Sequence, residues 1–445
     1  MSFDSEAYLN SFTNWEPRLD QAGVSSFSID RMIPLLRIFR HPESKLRFAH
    51  IAGSKGKGST AAFLASIVRA AGYRVGLYTS PHLYSVRERI RVLAPDVQPA
   101  GPFEGMIPQE DLDELLRSHQ GEIDALRGSG TDITYYELLT ALAVVYFARQ
   151  KVRLVVLETG LGGRLDATNY FETSVCGITP IGLEHTVILG GTLELIAAEK
   201  AAIIKEDSQS VVVAPQAPGA MGVIEARCRE FGISPSVIGR DIAVTVKSQD
   251  IDGAVFSVEG RRSYRDLSTS LIGRHQAANA AMAIAMAEDL EVFSLALSEE
   301  AVARGVKEAC WPARFEIVSR DPFVVVDCAH TVESAAALAQ TVAEVFPGRR
   351  VTLVFGSSTD KDTAGMARAL APVVERVIFT KSPHSRASDP QQLAGAGLFP
   401  GLPAMVSANV AEALQEARSQ AGRDGLVLVC GSVFVAAEAT RVFRS

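Results

Sequence analysis

Between Ala49 and Leu83 the chain reads AHIAGSKGKGSTAAFLASIVRAAGYRVGLYTSPHL, and this stretch constrains the fold more than any other. An apolar run leads into GSKGKGST and an Ala-rich amphipathic segment follows, so the glycine-rich piece is predicted to join a buried strand to a helix. Glycines there let backbone N–H groups turn inward on an anion, the new helix adds the positive end of its dipole, and Lys57 adds a mobile charge. The predicted phosphate cradle is Gly53, Ser54, Gly56, Lys57, Gly58, Ser59 and Thr60, with Ser59, or Thr60 beside it, offering a hydroxyl to Mg²⁺.

The rest of the chain narrows the class. A length of 445 residues predicts two or three domains. A net charge of -7 with no dominant Lys/Arg cluster argues against nucleic acid as a partner. The five cysteines contain no C-x-x-C pair, which speaks against a zinc site and a disulfide framework and fits a reducing compartment. No signal-like N-terminus and no membrane-length apolar run is present, so a cytoplasmic enzyme without a membrane partner is expected.

Taken in order, residues 1–47 are predicted to be mostly helical. Tyr73–Tyr78 reads as a strand and Arg87–Val92 as a half-exposed one; Thr134–Arg149 reads as a helix and Val152–Leu157 as a buried strand ending in Glu158. Strand and helix alternate, which predicts a parallel sheet with right-handed crossovers and a ligand site beyond the C-terminal strand ends. Val175–Thr179, a helix over Thr192–Ile204, hairpins between Ile242 and Leu271 and a helix over His275–Ala287 follow, and βαβ units resume from Phe323. The expected organisation is α/β in two domains: residues 1–297 as a P-loop NTPase-like parallel-sheet domain and residues 298–445 as a Rossmann-like α/β domain.

Glu158, at the end of an apolar strand and followed by TGLGGRLDATN, is a candidate ligand for Mg²⁺. His185 and Lys200, each read alone, are a structural histidine and a surface lysine. Their company changes that. GSKGKGST, SPHL, RERIRV, ETGLGGRLDATN, IGLEHTVILGGTLELIAAEKAAIIK, GRHQAANAA, WPARFEIV, DCAHTVES and SSTDKD occur in an order and spacing similar to folylpolyglutamate synthase and dihydrofolate synthase, members of the Mur ligase superfamily.

The resemblance implies an ATP-dependent ligase that phosphorylates the carboxyl of dihydropteroate or a folate and lets the amine of L-glutamate displace the phosphate. It implies Lys57 on the β- and γ-phosphates, Ser59, Glu158 and His185 around Mg²⁺, and a carbamylated Lys200. It implies Asn279, Arg314, Asp327 and His330 near the nucleotide, and Ser80, His82 and Arg87 on the pterin side. ATP and Mg²⁺ are the implied cofactors, with a monovalent cation such as K⁺ as a further ion; a monomer is expected. Asp166 is read as structural. Four residues depart from the usual pattern: Lys55 for Asn, Glu184 and Val187 for Asp, and Thr331 for Asn. Two alternatives use the same motifs, a Mur-type amide ligase with another acid acceptor and a non-catalytic nucleotide-binding paralogue.

Overall fold

Seven short apolar runs pair into one sheet in the computed structural model, which describes residues 3–99 and 101–444. They are β1 (Phe48–Ala52), β2 (Val75–Tyr78), β3 (Ile90–Leu93), β4 (Leu154–Glu158), β5 (Val175–Ile178), β6 (Ser210–Val213) and β7 (Ser236–Val237), in the order β3-β2-β4-β1-β5-β6-β7. All neighbours are parallel except β2 and β3. β1, β4 and β5 are buried along their whole length, as strands covered on both faces must be. Ile51 lies beside Glu158 and Ala52 beside Ile178, which sets the loop after β1 among the C-terminal ends of its neighbours.

Helices α1 (Ser5–Asn10), α2 (Met32–Ile38), α3 (Lys57–Ala70), α4 (Gln109–Gly128) and α5 (Tyr135–Arg149) cover this sheet. Leu35 and Leu36 of α2, Leu115 of α4 and Leu138 and Phe147 of α5 share one buried cluster. Thr134 caps α5 while the Glu137 carboxylate returns to the Thr134 N–H, satisfying two donors that a helix start leaves open. The lead-in is helical only in short pieces, and Pro17 and Pro42 each sit at the start of a separate 3₁₀ turn. Arg87–Arg89 form a 3₁₀ turn rather than a strand, capped by Ser85 and Glu88. β3 is mostly buried rather than half-exposed because its arginines find internal acceptors: Arg89 holds Glu16 and Arg91 donates to the Glu104 carbonyl.

The chain divides into two compact units, Met1–Thr245 with Phe256–Ser268 and His275–Cys310, and Val246–Val255 with Thr269–Arg274 and Trp311–Ser445. A three-stranded antiparallel-type meander, β8 (Ala243–Asp250), β9 (Gly253–Glu259) and β10 (Ser263–Thr269), appears where hairpins were expected. The second unit holds β11 (Glu316–Arg320), β12 (Phe323–Val326), β13 (Val351–Phe355), β14 (Val374–Phe379), β15 (Ala404–Val406) and β16 (Leu426–Cys430), in the order β11-β12-β16-β13-β14-β15. Only the β11–β12 pair is antiparallel. Among the described residues no helix is long and apolar enough to cross a membrane.

One buried polar chain ties β1 to the loop after β4. His50 Nε2 donates to Thr168 Oγ1 at 2.8 Å, and that hydroxyl donates to Asp166 Oδ1 at 2.5 Å. The Asp166 carboxylate also accepts from the N–H groups of Gly160 and Leu161, which shapes the glycine-rich turn. Burial lowers the His50 pKa to about 3. The unfolded chain takes up this proton first, near pH 6.5, so stability is lost as pH falls from 6.5 toward 3. Between pH 7 and pH 5 this residue is expected to cost about 2 kcal/mol. Urea unfolding at both pH values checks it: His50→Gln is expected to flatten the dependence, and an unchanged dependence would contradict the assignment.

Candidate active site

The loop after β1 is held open by its backbone. Gly53 has φ 144°, and a Cβ there would lie 1.8 Å from Thr179 Oγ1; Gly56 has φ 87°, and a Cβ there would lie 2.5 Å from Asn279 Oδ1. Only glycine fits either position. Ser54 and Lys55 donate their N–H groups to the Pro180 carbonyl at 2.9 and 3.1 Å, and Ser54 Oγ donates to the Gly182 carbonyl. α3 begins at Lys57, so Gly58, Ser59 and Thr60 occupy its first turn, where the Thr60 N–H closes the helix onto the Gly56 carbonyl at 2.9 Å and the positive end of the helix dipole lies. Thr60 Oγ1 is buried with no hydrogen-bond partner.

Two ammonium groups converge on one carbonyl oxygen. Lys57 Nζ donates to Gly53 O at 3.0 Å and Lys200 Nζ to the same oxygen at 2.8 Å. Lys200 lies on α7 (Leu193–Ala201), which follows α6 (Thr186–Leu189), and its side chain is almost wholly buried. Glu184 holds the group together: Oε1 is 2.9 Å from Lys200 Nζ and Oε2 is 3.8 Å from Lys55 Nζ. Burial works to raise its pKa, yet Lys200, Lys57 and Lys55 together hold the carboxyl far below the usual carboxylate range. Burial lowers Lys200 to about 8, with Glu184 opposing the shift.

Glu158 is buried at the end of β4, and its Oε2 accepts from the Ser80 N–H at 3.2 Å. His185 adopts φ 47° and starts the turn in which Ile188 and Leu189 donate to its carbonyl. Among the described residues no three His, Cys, Asp or Glu side chains form a metal-binding group. A Mg²⁺ carried on a nucleotide needs only one or two protein oxygens, the phosphates and water supplying the rest. The buried Glu158 carboxylate beside the loop and the unpaired Thr60 hydroxyl meet that need, so the residues present fit such an ion.

Ser80, His82 and Arg87 each have their own partner. Ser80 borders Glu158; His82 Nδ1 accepts from Arg89 Nε at 2.8 Å, and burial followed by the Arg89 charge lowers its pKa to about 3. Arg87 donates to the Ile107 carbonyl at 2.7 Å. A cleft opens elsewhere in the same unit, lined by Trp15, Glu16, Phe27, Thr134, Tyr136, Glu137, Leu161, Leu165 and Asp166 among others. Asp166, read from the sequence as structural, both braces the Gly160–Leu161 turn and lines this cleft. Trp15, Glu16 and Thr134 carry no motif of their own, and the sequence reading passed over them.

In the second unit, Arg314, Asp327 and His330 come together at the end of β12. Asp327 accepts from the N–H groups of Phe315 and Ala329, both at 2.7 Å, and His330 Nδ1 donates to the Cys328 carbonyl at 2.8 Å, leaving Nε2 as an acceptor. Ala313 and Phe315, flanking Arg314, have φ values of 53° and 46°, a conformation that costs energy in non-glycine residues. Thr331 caps α11 (Val332–Val345), with α8 (Pro218–Glu230), α9 (Arg274–Asp289) and α10 (Glu299–Glu308) preceding it, and Thr serves that cap as Asn would. Val187 is 84% exposed, so no buried acid is missing at that position.

Lys57 bonds only to its own loop, so Lys57→Ala is expected to lower ATP-dependent phosphate release at least a hundredfold while thermal unfolding shifts by no more than a few degrees. Turnover near wild type would mean that the loop does not carry the phosphates.

Two family models match the chain: Mur ligase middle domain over residues 110–287, and Mur ligase, glutamate ligase domain, over residues 313–433. The dihydrofolate synthase/folylpolyglutamate synthase of Bacillus subtilis is 36% identical over 412 residues, covering 91% of this chain and 92% of the relative. The Escherichia coli protein of the same name is 33% identical and covers 88% and 85%. A probable bifunctional folylpolyglutamate synthase/dihydropteroate synthase of Halobacterium salinarum is 38% identical, and the chain spans 47% of its length. Among solved structures, Mycobacterium tuberculosis folylpolyglutamate synthase complexed with ADP and AMPPCP superposes with a TM-score of 0.86 at 32% identity over 99% of both chains. Escherichia coli FolC in complex with DHPP and ADP gives 0.82 at 29% identity over 99% of this chain and 97% of that one. Loop, strand-end acid and buried lysine thus stand within a fold matched from end to end, and the chain belongs to the dihydrofolate synthase/folylpolyglutamate synthase family of Mur ligases.

Proposed function

We propose that the chain is an ADP-forming ligase that uses ATP to join the amine of L-glutamate to the carboxylate of dihydropteroate or of a folate. The observation that carries this reading is the pairing, within one unit, of a lysine-rich phosphate loop with an aromatic cleft edged by carboxylates. A reduced pterin is flat and apolar on its faces, with amine and amide N–H groups along one edge. Trp15, Phe27 and Tyr136 suit the faces, and Asp166 and Glu16 suit the edge.

A carboxylate is a poor electrophile until it carries a good leaving group. Here the acceptor carboxylate oxygen attacks the γ-phosphorus of ATP, ADP departs, and the amine of glutamate attacks the acyl phosphate; the C–O bond breaks and phosphate leaves. Lys57 would hold the β- and γ-phosphates, and the loop N–H groups would bear the charge that develops. Glu158 and His185, with the hydroxyl of Ser59 or of Thr60 beside it, would hold Mg²⁺, which when bound would supply charge neutralisation to the phosphates. Gly53, Ser54, Gly56, Gly58 and Thr60 complete the cradle. Asn279, against Gly56, and Arg314, Asp327 and His330 are proposed as further nucleotide contacts on the strength of the family resemblance.

For the incoming amino acid, the second unit offers Lys361 and Arg386 beyond the ends of β13 and β14, each near Asp360, with the Arg386 Nε buried and unpaired. Cations in that position suit the carboxylates of glutamate. A monomer is proposed, and a monovalent cation such as K⁺ is a further proposed requirement.

Lys200 is proposed to be carbamylated. With its pKa lowered to about 8, a large share of the amine is neutral near that pH, and the neutral amine is the form that adds CO₂ and sheds a proton. The product is an anion, which leaves Lys55 as the loop cation facing Glu184. Protein equilibrated with ¹³C-bicarbonate should show a carbamate carbon resonance that Lys200→Arg lacks and that weakens as pH falls below 8. No Lys200-dependent resonance would refute the carbamate.

The reading as a whole is checked by incubating the protein with ATP, glutamate and either dihydropteroate or tetrahydrofolate. Phosphate release that depends on acceptor and on glutamate is expected. Turnover only with a different acid would favour the related ligase, and nucleotide binding without acceptor-dependent turnover would favour the non-catalytic paralogue.

A further inference from the structure

A second, shallower cleft is lined by Val24, Phe27, Leu161, Arg164, Leu165, Ile188, Leu189 and Glu199. Phe27, Leu161 and Leu165 also line the larger cleft, so the two adjoin through a shared apolar wall. Its far wall is the turn that begins at His185, whose carbonyl accepts from Ile188 and Leu189 at 2.9 Å. Glu199 precedes Lys200 on α7. The small cleft thus adjoins the proposed ring pocket and is walled by the turn after His185 and by Glu199, which offers an elongated acceptor a path out of the ring pocket along that turn.

Arg164 is the cation of that path. Its Nε donates to Glu199 Oε1 at 2.9 Å and its backbone N–H to the Glu199 carbonyl at 2.8 Å, which fixes the side chain against α7. Its terminal nitrogens make no hydrogen bond among the described residues, and the side chain is 49% exposed. A guanidinium bound through Nε to one carboxylate keeps a second donor face for another.

We infer that Arg164 discriminates between acceptors by binding the carboxylate that is not activated. This rests on the ligase reading above. Dihydropteroate has one carboxylate, and it is consumed by phosphorylation. An acceptor that already ends in glutamate has two, so one remains an anion beside the reacting carbon. An anion held against an apolar wall loses part of its hydration, and a cation there offsets that loss. Arg164 meets it, and the Glu199 partner keeps the site neutral when the shorter acceptor is bound.

The test compares two pairs of acceptors on the full chain. Calorimetry with pteroate and with pteroylmonoglutamate gives affinities without turnover, and steady-state kinetics with dihydropteroate and tetrahydrofolate gives KM and kcat. Arg164→Gln is expected to raise the Kd of pteroylmonoglutamate and the KM of tetrahydrofolate roughly tenfold or more, with kcat little changed. Values for pteroate and dihydropteroate should stay within about twofold, and Arg164→Lys should recover part of the loss. Equal weakening toward both members of a pair would mean that Arg164 only braces the wall through Glu199, and no change in either would equally overturn the inference. Should the wild type turn over neither acceptor, the ligase reading fails on its own, while the calorimetric comparison still decides the role of Arg164.

Discussion

One carbonyl oxygen, that of Gly53, accepts hydrogen bonds from two lysine ammonium groups, and much of the first unit is arranged to make this possible. The two cations repel, and Lys55 adds a third nearby; Glu184 offsets them from 2.9 and 3.8 Å. The loop must be glycine at 53 and 56, because Thr179 and Asn279 press against its back. Pro180 then takes two loop N–H groups, which locks the end of β5 to the end of β1. A phosphate entering this loop meets the Lys57 ammonium and the start of α3 already oriented, so little reorganisation is needed when the anion arrives.

The parallel sheet explains why such distant residues meet. β1 lies between β4 and β5, so the loop, Glu158 and the segment carrying Glu184 and His185 leave the sheet on one edge. α7 then returns Lys200 to that edge. The acceptor cleft uses a different route: the lead-in supplies Trp15 and Glu16, the cap of α5 supplies Thr134 and Glu137, and the turn after β4 supplies Asp166. Arg89 couples the first of these to the Ser80–Pro81 segment, since it holds Glu16 with two nitrogens and His82 with the third. The ring pocket is thereby tied to the segment whose Ser80 N–H meets Glu158 at the end of β4.

Much of this was legible in the sequence, and the parts that were not share a physical reason. The strand, glycine loop and helix around Lys57 announce themselves because each residue acts through its own backbone conformation or its place in a local period. Glu158 was legible as a polar stop to an apolar strand, and Lys200 and His185 only through family resemblance. The cleft was not legible, because Trp15, Thr134 and Asp166 are ordinary residues until tertiary packing brings three segments together. RERIRV looked like a half-exposed strand for the same reason: its arginines gain internal partners that no local pattern encodes. Two of the departures from the family pattern, Lys55 and Glu184, are distant in sequence and face one another in the fold.

The central claim is that the loop around Gly53 and Lys57 serves to move a phosphoryl group onto a carboxylate. The most direct measurement labels the acceptor carboxylate with ¹⁸O on both oxygens and follows the isotope through one turnover by mass spectrometry. One ¹⁸O should leave in the released phosphate and one should remain in the new amide. Unlabelled phosphate accompanying amide formation would contradict activation through an acyl phosphate.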